Sequence, residues 1–333
     1  MNTKPNIGLT TTGLSDKIAF RLARQPNHEM NIREILSSSE IRSLTARSDF
    51  WAIFLLLKTW LLIGLIFWFA TSWTNPFSIL LALLLLGGQQ LGLTVIMHEC
   101  GHQTFFASKR LNAIFGQYFA ANPTFSDLHY YATTHAEHHR KAGTSEDPDL
   151  ANYSSYPVKK GSFKRKLLRD VSGQTGFKLL SYVFGSAAGI FSGDSQRKAA
   201  AKPFVQQVLA NVVLAIILGV VFAPWAYALW FGSILTSFML IVRVRQVAEH
   251  AAVPDCLSPD PRDNTRTTLA SWWERLLFAP NYVNYHLEHH FMASVPCYRL
   301  PDLHRLLRER NVLDNTPVFR SYYEVLNHAV LDH

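Results

Sequence analysis

The chain has 333 residues, 48% of them hydrophobic, and carries 32 Lys and Arg against 24 Asp and Glu, a formal net charge of +8. Its three cysteines, Cys100, Cys256 and Cys297, form no C-x-x-C pair, which excludes a zinc ribbon and gives no sign of a disulfide framework. A basic chain can serve nucleic acid or an anionic surface, but no nucleic-acid module or recognition helix is apparent, and the apolar residues are strongly clumped.

Residues 1–49 contain charges throughout and no apolar core of the length that a secretory signal needs. The Thr/Ser/Asn-rich stretch from Asn2 to Ser15 predicts disorder. Asp16 to Ser48 predicts one or two short helices, either on a membrane surface or solvated. From about Phe50 to Trp73 the chain is almost wholly apolar, long enough for a bilayer core, which needs roughly 20 residues. Lys58, its only charge, sits near one end and can snorkel to the interface. A turn at Thr74-Asn75-Pro76 leads into a second apolar run, Phe77 to Met97, broken only by Gly87-Gly88-Gln89-Gln90. The glycines there ease close helix packing. The two spans form a helical hairpin that delivers the chain to His98.

From His98 to Pro203 the chain is polar and basic. Phe105 to Phe125 is moderately apolar and reads as re-entrant or interfacial; Phe177 to Ser192 is similar and short for a full crossing. Phe204 to Ala223 and Trp225 to Val242, joined at Pro224, make a second hairpin. Thirty-one of the 32 Lys and Arg residues fall in residues 1–49, 98–203 and 243–333, and the hairpin tips near Asn75 and Pro224 have none. The positive-inside rule therefore places both termini and the large middle segment in the cytoplasm.

Three histidine clusters then lie on one side of the membrane: His98-Glu99-Cys100-Gly101-His102, His135-Ala136-Glu137-His138-His139, and Asn284-Tyr285-His286-Leu287-Glu288-His289-His290. A lone histidine is ordinarily a surface or core residue, but eight of the chain's fourteen in three short clusters point to metal. Eight imidazoles exceed what one ion takes and suit two. Imidazole-rich ligation without thiolate fits iron, copper or zinc, and Cys100 is not expected to ligate. Glu99, Glu137 and Glu288 beside the histidines can orient imidazole N–H groups or form helix salt bridges. His250 follows the last span, with Gln246 one helical turn before it and able to reach the metals through a water. His28, His129, His304, His328 and His333 are isolated and read as surface residues. The predicted fold class is all-α and integral to the membrane. Four transmembrane helices (about 50–73, 77–97, 204–223 and 225–242) lie in two hairpins under a cytosolic helical cap holding a di-metal site. Residues 1–49 form an N-terminal segment and 50–333 one membrane domain.

Across roughly His98 to Pro301 the pattern resembles the membrane fatty acid desaturase/hydroxylase family. The three clusters resemble its three histidine boxes; Glu146-Asp147-Pro148-Asp149 after the second, and Ser294-Val295-Pro296 with Leu300-Pro301 after the third, are also similar. The resemblance implies two irons held by nine histidines: His98, His102, His135, His138, His139, His250, His286, His289 and His290. It implies supporting roles for Gln246, Asp147, Asp149, Glu288 and Asn284, with Asp147 and Asp149 open to the alternative of capping a helix. It further implies O2 as co-substrate and removal of hydrogen from an unactivated C–H bond. His-Pro-Gly-Gly, the mark of the family's fused cytochrome b5 domain, does not occur, so a separate donor of ferredoxin or cytochrome b5 type is expected. His286 in place of Gln at the start of the third box argues against a front-end desaturase.

The expected reaction is desaturation of a fatty acyl lipid in the membrane, a bacterial inner membrane in preference to the endoplasmic reticulum. The alternative is hydroxylation or ketolation of another apolar substrate such as a carotenoid or sterol. An apolar groove beneath the metal site would hold the substrate, with Trp225, Trp230, Trp272, Trp273 and Tyr285 as lining candidates, or as interface belts for the two in the spans. Two other classes stay open. His98-Glu99-x-x-His102 also matches the zinc peptidase signature, although that reading leaves most of the histidines without a role. A metal carrier is the other, although carriers usually place ionisable ligands within their spans and these spans contain no His, Asp or Glu.

Overall fold

The computed structural model describes residues 32–332, so the expectations for Asn2 to Ser15, His28 and His333 lie outside the described residues. Its framework is helical. Helix α1 (Asp49–Ser72) starts at Ser48, whose side chain accepts the Trp51 N–H, and α2 (Pro76–Gly101) starts at a capping box of Asn75 and Ser78 with Pro76 in the first turn. These caps satisfy backbone donors that the chain reversal would leave open. At 24 and 26 residues the two helices are ~36 and ~39 Å long, enough to cross a hydrocarbon core of roughly 30 Å. The second hairpin comprises α4 (Ser195–Val221) and a helix in two pieces, α5 (Ala226–Leu235) and α6 (Ser237–His250). Among the described residues, four helices are long and apolar enough to cross a membrane.

Outward-facing positions one turn apart, Leu57, Leu61 and Leu65 on α1, are exposed, as are Ile216 and Val220 on α4. A continuous apolar stripe on the outside is the mark of a lipid-facing surface. The inward faces meet in a core of Ile63, Phe67, Leu86, Leu93, Leu218, Trp230 and Ile234.

Two expectations change in extent. Helix α2 runs four residues past Met97, because His98 and Glu99 are buried and bond to each other instead of breaking out to water. The last span is broken at Thr236 (φ −119°, ψ −85°), whose hydroxyl donates to the Gly232 carbonyl at 2.7 Å, a side chain inserting into the helical ladder. Trp230 lines neither groove nor belt. It is fully buried, stacked on Trp60 at 6.2 Å, and its Nε1–H donates to the Pro123 carbonyl at 3.0 Å. Trp272, by contrast, is 80% exposed.

Most of the remaining segments gather at the end of the bundle where α1 begins and α2 and α6 end. These include α3 (Leu128–Lys141), α7 (His286–Phe291) and α8 (Leu300–Glu309). The Tyr298 hydroxyl accepts the Ser48 N–H at 2.7 Å and Asp49 accepts the Ala107 N–H at 2.8 Å, tying this cap to the start of α1. Leu36 and Leu44 share a core with Leu303 and Leu307, so residues just before α1 pack on the same body. Two parallel two-residue bridges, Val158–Lys159 with Val330–Leu331 and Thr267–Thr268 with Val318–Phe319, fasten the C-terminal segment. Phe115–Ala121 forms a π-helical turn against α2, and the apolar stretch beginning at Phe177 lies in a helix, Gln174–Gly185, followed by a short 3-10 turn.

The close approach expected at Gly87-Gly88 is present. A Cβ at Gly88 would sit 2.5 Å from the Leu276 carbonyl oxygen, and one at Gly87 would sit 2.9 Å from the Phe238 backbone nitrogen. Because backbone cannot swing aside as a side chain can, Gly88→Ala should destabilise the folded protein by about 1–3 kcal/mol. Thermal unfolding in detergent checks this; an unchanged midpoint would show that the two segments separate easily.

Candidate metal centre

The nine histidines converge in two groups. His98, His102, His135, His139 and His289 form one; His138, His250, His286 and His290 form the other; in each, one ring nitrogen per residue lies within 4.8 Å of all the rest. The helical repeat explains the partition. Residues four apart lie on one face, so His98 and His102 on α2, and His135 and His139 on α3, point into the five-membered group. His286 and His290 on α7 point into the four-membered group. Adjacent residues are turned by about 100°, so His138 crosses to the second group and His289 to the first. Each His-His pair thereby straddles both positions, and the His139 and His290 rings stack at 4.4 Å where the groups touch.

The nitrogens are placed for a cation. His98 and His289 approach Nε2 to Nε2 at 3.1 Å, His139 and His289 at 2.9 Å, His250 and His286 at 2.8 Å, and His138 and His290 at 3.3 Å. For metal–nitrogen bonds of about 2.0–2.1 Å, adjacent ligand nitrogens stand about 3 Å apart. The outer nitrogens decide which tautomers are present. His250 Nδ1 faces the Asn264 carbonyl oxygen at 3.0 Å, an atom that only accepts, so Nδ1 carries the proton. His286 Nδ1 lies 3.4 Å from Glu249, whose carboxylate also takes Arg245 Nε at 2.6 Å. With its proton on the outside, His250 turns a bare Nε2 lone pair toward His286 Nε2 at 2.8 Å, the spacing of two ligands on one cation. His102 Nε2 is likewise buried with no hydrogen-bond partner. The residues present therefore fit a pair of metal ions.

Burial keeps the imidazoles uncharged. Desolvation, reinforced by the neighbouring histidines, lowers His102 to about 3 and His139 to about 2, and carries His135, His286, His289 and His290 well below the ordinary imidazole value. Neutral rings with free lone pairs are the form that binds metal.

Three carboxylates orient this set. Glu99 Oε1 pairs with His98 Nδ1 at 3.0 Å, while its Oε2 accepts the Thr104 hydroxyl and the Cys297 N–H. With both oxygens engaged, Glu99 is placed to hold an imidazole; it is not poised as a peptidase base. Asp147 Oδ1 accepts the His138 Nδ1–H at 2.8 Å, and its Oδ2 accepts the Tyr153 hydroxyl. Burial alone would raise the Asp147 carboxyl; the bonds from His138, Tyr153 and the Asp149 N–H outweigh it and hold the group below its usual value. Glu249, on His286, is the third; its sequence signal was its place directly before His250.

Other expected supports lie elsewhere. Asp149 is 3.8 Å from His138 Nδ1, half exposed, and bonds Asn152. Asn284 donates to the Thr268 carbonyl. Glu137 pairs with Arg140 and Lys141 on the surface of α3, the helix salt-bridge alternative. Glu288 is fully buried but faces away from the centre, accepting the Thr267 hydroxyl at 2.6 Å and meeting His304 Nδ1 at 2.6 Å. His304, read from sequence as a surface residue, is thus buried. Its place on α8 beneath α7 makes it the partner of the carboxylate on the back of the third cluster, a long-range contact that spacing does not reveal. His129 is exposed; His328, also exposed, bonds the Ala252 carbonyl at 3.0 Å.

A cavity of about 10 Å³ abuts the centre, lined by His98, His286 and His289, by Glu99, and by Val95, Val283, Cys297 and Leu300. That is room for about one water-sized group, well short of the open groove expected from sequence. The side chains at this wall leave no space for a long chain in this conformation.

The fatty acid desaturase family model matches residues 71–323. The chain is similar to the dihydrorhizobitoxine desaturase of Bradyrhizobium elkanii, 29% identical over 246 residues, covering 68% of this chain and 66% of that protein. It is similar to an sn-1 acyl-lipid omega-3 desaturase (ferredoxin) of Nostoc sp. (strain 36), 28% identical over 162 residues, 47% of this chain and 37% of that one. It is also similar to a beta-carotene ketolase of Paracoccus sp. (strain N81106 / MBIC 01143), 27% identical over 240 residues, 70% and 82% respectively. At 66% and 37%, the chain spans less than two thirds of the length of the first two relatives.

Removing a group that orients a metal-binding imidazole typically costs about 10–100-fold in metal affinity. Asp147→Asn and Glu99→Gln are each expected to show that loss in a titration against a competing chelator, with Glu137→Gln binding as the unaltered protein does. Equal affinities in all three variants would mean that the carboxylates do not support metal binding.

Proposed function

The chain belongs to the fatty acid desaturase family, and from that premise we propose that it is a di-iron oxidoreductase that uses O2 to introduce a double bond into a fatty acyl chain of a lipid. The observation that carries this reading is the pair of imidazole groups, and within it the His250 and His286 nitrogens facing each other at 2.8 Å with the His250 proton held outward by the Asn264 carbonyl. His98, His102, His135, His139 and His289 would hold one iron and His138, His250, His286 and His290 the other. Asp147, Glu99, Glu249 and the Asn264 carbonyl would fix their tautomers. Two bound irons supply activation of dioxygen toward an unactivated C–H bond. The balance of the reaction is one O2, two electrons and two protons consumed, two hydrogens taken from adjacent carbons, and two waters released.

The chain's own contribution is placement and dryness. Val95, Val283, Cys297 and Leu300 face ligands of both groups across the small cavity, so the carbon presented there meets apolar walls and no bulk water. A long acyl chain would enter by displacing side chains at this wall. The positive-inside distribution supports a bacterial inner-membrane protein with both termini and the metal centre in the cytoplasm, and the three relatives named above come from bacteria. Residues 1–49 would precede one catalytic body, 50–333. Electrons would come from a separate carrier, of ferredoxin or cytochrome b5 type; one relative's name includes ferredoxin. A second reading, oxygen insertion into another apolar substrate such as a carotenoid, is favoured by the likeness to a beta-carotene ketolase that covers 82% of that protein. The two outcomes differ only in whether the first abstraction is followed by a second or by oxygen transfer.

Purified protein is expected to hold close to two irons per chain and to consume O2 when supplied with reductant and lipid. Mass spectrometry of lipids from a host expressing the chain should show new unsaturation that disappears with His286→Ala. One zinc per chain without oxygen uptake would overturn the proposal, and oxygenated products in place of unsaturated ones would move it to the second reading.

A further inference from the structure

We propose that Tyr153 is a redox-active side chain of this centre, giving up one electron to the oxidised metal pair when no substrate C–H bond is presented. The inference rests on reading the centre as a di-iron oxygen site. Tyr153 ends a short helix, Leu150–Tyr153, and is 4% exposed. It meets the four-membered imidazole group once directly and once through a carboxylate. Its ring lies nearly parallel to His250, with centroids 4.9 Å apart and planes 23° apart. Its hydroxyl donates to Asp147, whose other oxygen takes the His138 Nδ1–H at 2.8 Å.

These two contacts are what oxidation of a buried phenol requires. The face-on contact with His250 gives the electron a path of van der Waals length. The carboxylate gives the proton a destination, without which a positively charged radical would be left in a dry interior at high cost. Tyr131 is the internal comparison. It stacks on His135 of the five-membered group at 5.2 Å and 18°, but among the described residues no carboxylate accepts its hydroxyl. Of the two stacked tyrosines, only Tyr153 has both partners.

The step balances as follows. The Tyr153 O–H bond breaks, its proton passes to Asp147 Oδ2, its electron passes by way of His250 to the metal pair, and a neutral phenoxyl remains. An electron from the external carrier and the proton on Asp147 restore the phenol. The net result is one carrier electron delivered to the metal pair, and the oxidising equivalent is kept off His138 and His250.

The full-length protein, loaded with iron, reduced and mixed with O2 in the absence of lipid substrate, tests this by freeze-quench electron paramagnetic resonance. A tyrosyl signal is expected that narrows in protein made with ring-deuterated tyrosine, is lost in Tyr153→Phe and persists in Tyr131→Phe, at equal iron content. Peptide mass spectrometry should find His138 and His250 oxidised faster in Tyr153→Phe than in the unaltered protein. If Tyr153→Phe loads less iron, aminotyrosine installed at position 153 should trap the radical with its own distinct spectrum. A tyrosyl signal unchanged in Tyr153→Phe would overturn the inference, as would an iron-loaded, oxygen-consuming protein with no radical. A chain that holds no iron, or holds it without consuming oxygen, would overturn the di-iron reading and this inference together.

Discussion

The structure depends on crowding buried imidazoles until their ring nitrogens stand about 3 Å apart. Where the outer nitrogen gives its proton to a carbonyl or a carboxylate, as in His250 and His98, the inner nitrogen turns a bare lone pair toward its neighbours. The scaffold therefore holds apart and in register a set of dipoles that would scatter if free. A bound metal would turn this crowding into coordination, and its free energy of binding would return as stability of the segments that carry the ligands. The same reasoning explains the depth of burial: desolvation keeps the rings neutral, and neutral rings keep their lone pairs for metal.

That requirement dictates the architecture. Imidazoles from α2, α3, α6 and α7 can meet only if both hairpins turn at the far end and open at the same end. The turns are made cheaply, by Asn75, Ser78 and Pro76 in the first hairpin. Register is set by backbone contact: α2 approaches Phe238 and Leu276 so closely at Gly87 and Gly88 that no side chain fits between. This contact lies about three turns from His98 on the same helix, where a small displacement would move the histidine relative to its partners.

Much of this was legible in the sequence, and for identifiable reasons. Clustered histidines at helical spacing carry their geometry with them, so the nine residues that meet are the nine expected from the family pattern. The i,i+4 rule would also have divided them between the two positions: His135 with His139, His286 with His290, and the intervening members to opposite groups. The apolar runs located the first hairpin to within four residues, while α4 begins at Ser195 and α6 runs on to His250, well outside the expected 204–223 and 225–242; the error at the end of α2 has a physical source. A hydropathy reading stops at the first polar residue, whereas a helix continues if that residue is paired inside. What could not be read were long-range pairings. Glu288 carries a carboxylate beside two imidazoles in sequence, yet turns to His304. Glu249 looks like an ordinary i,i+4 partner of Arg245, yet reaches His286. Asn264 contributes a backbone carbonyl, which no residue type announces. Supports of this kind depend on which loops pack against the ligands, and that is decided by tertiary contact alone.

The centre also has two chemically different sides. Toward Val95, Val283, Cys297 and Leu300 it meets mostly apolar side chains beyond the imidazoles of His98, His286 and His289, with the Glu99 carboxylate engaged by His98, Thr104 and the Cys297 N–H. Toward Asp147 and Tyr153 it meets a carboxylate and a phenol that contact His138 and His250. An oxidant formed between such walls would find C–H bonds on one side and an oxidisable hydroxyl on the other. A substrate seated against the apolar wall would place its C–H bond next to ligands of both groups, whereas the phenol contacts the four-membered group alone. Chemistry would then proceed on the substrate when it is present and fall to the phenol when it is not. The division follows from the chain's layout. The apolar wall is built by α2 and the segments flanking α7, which join the membrane core, while the polar wall comes from the loop after α3, which faces away from it.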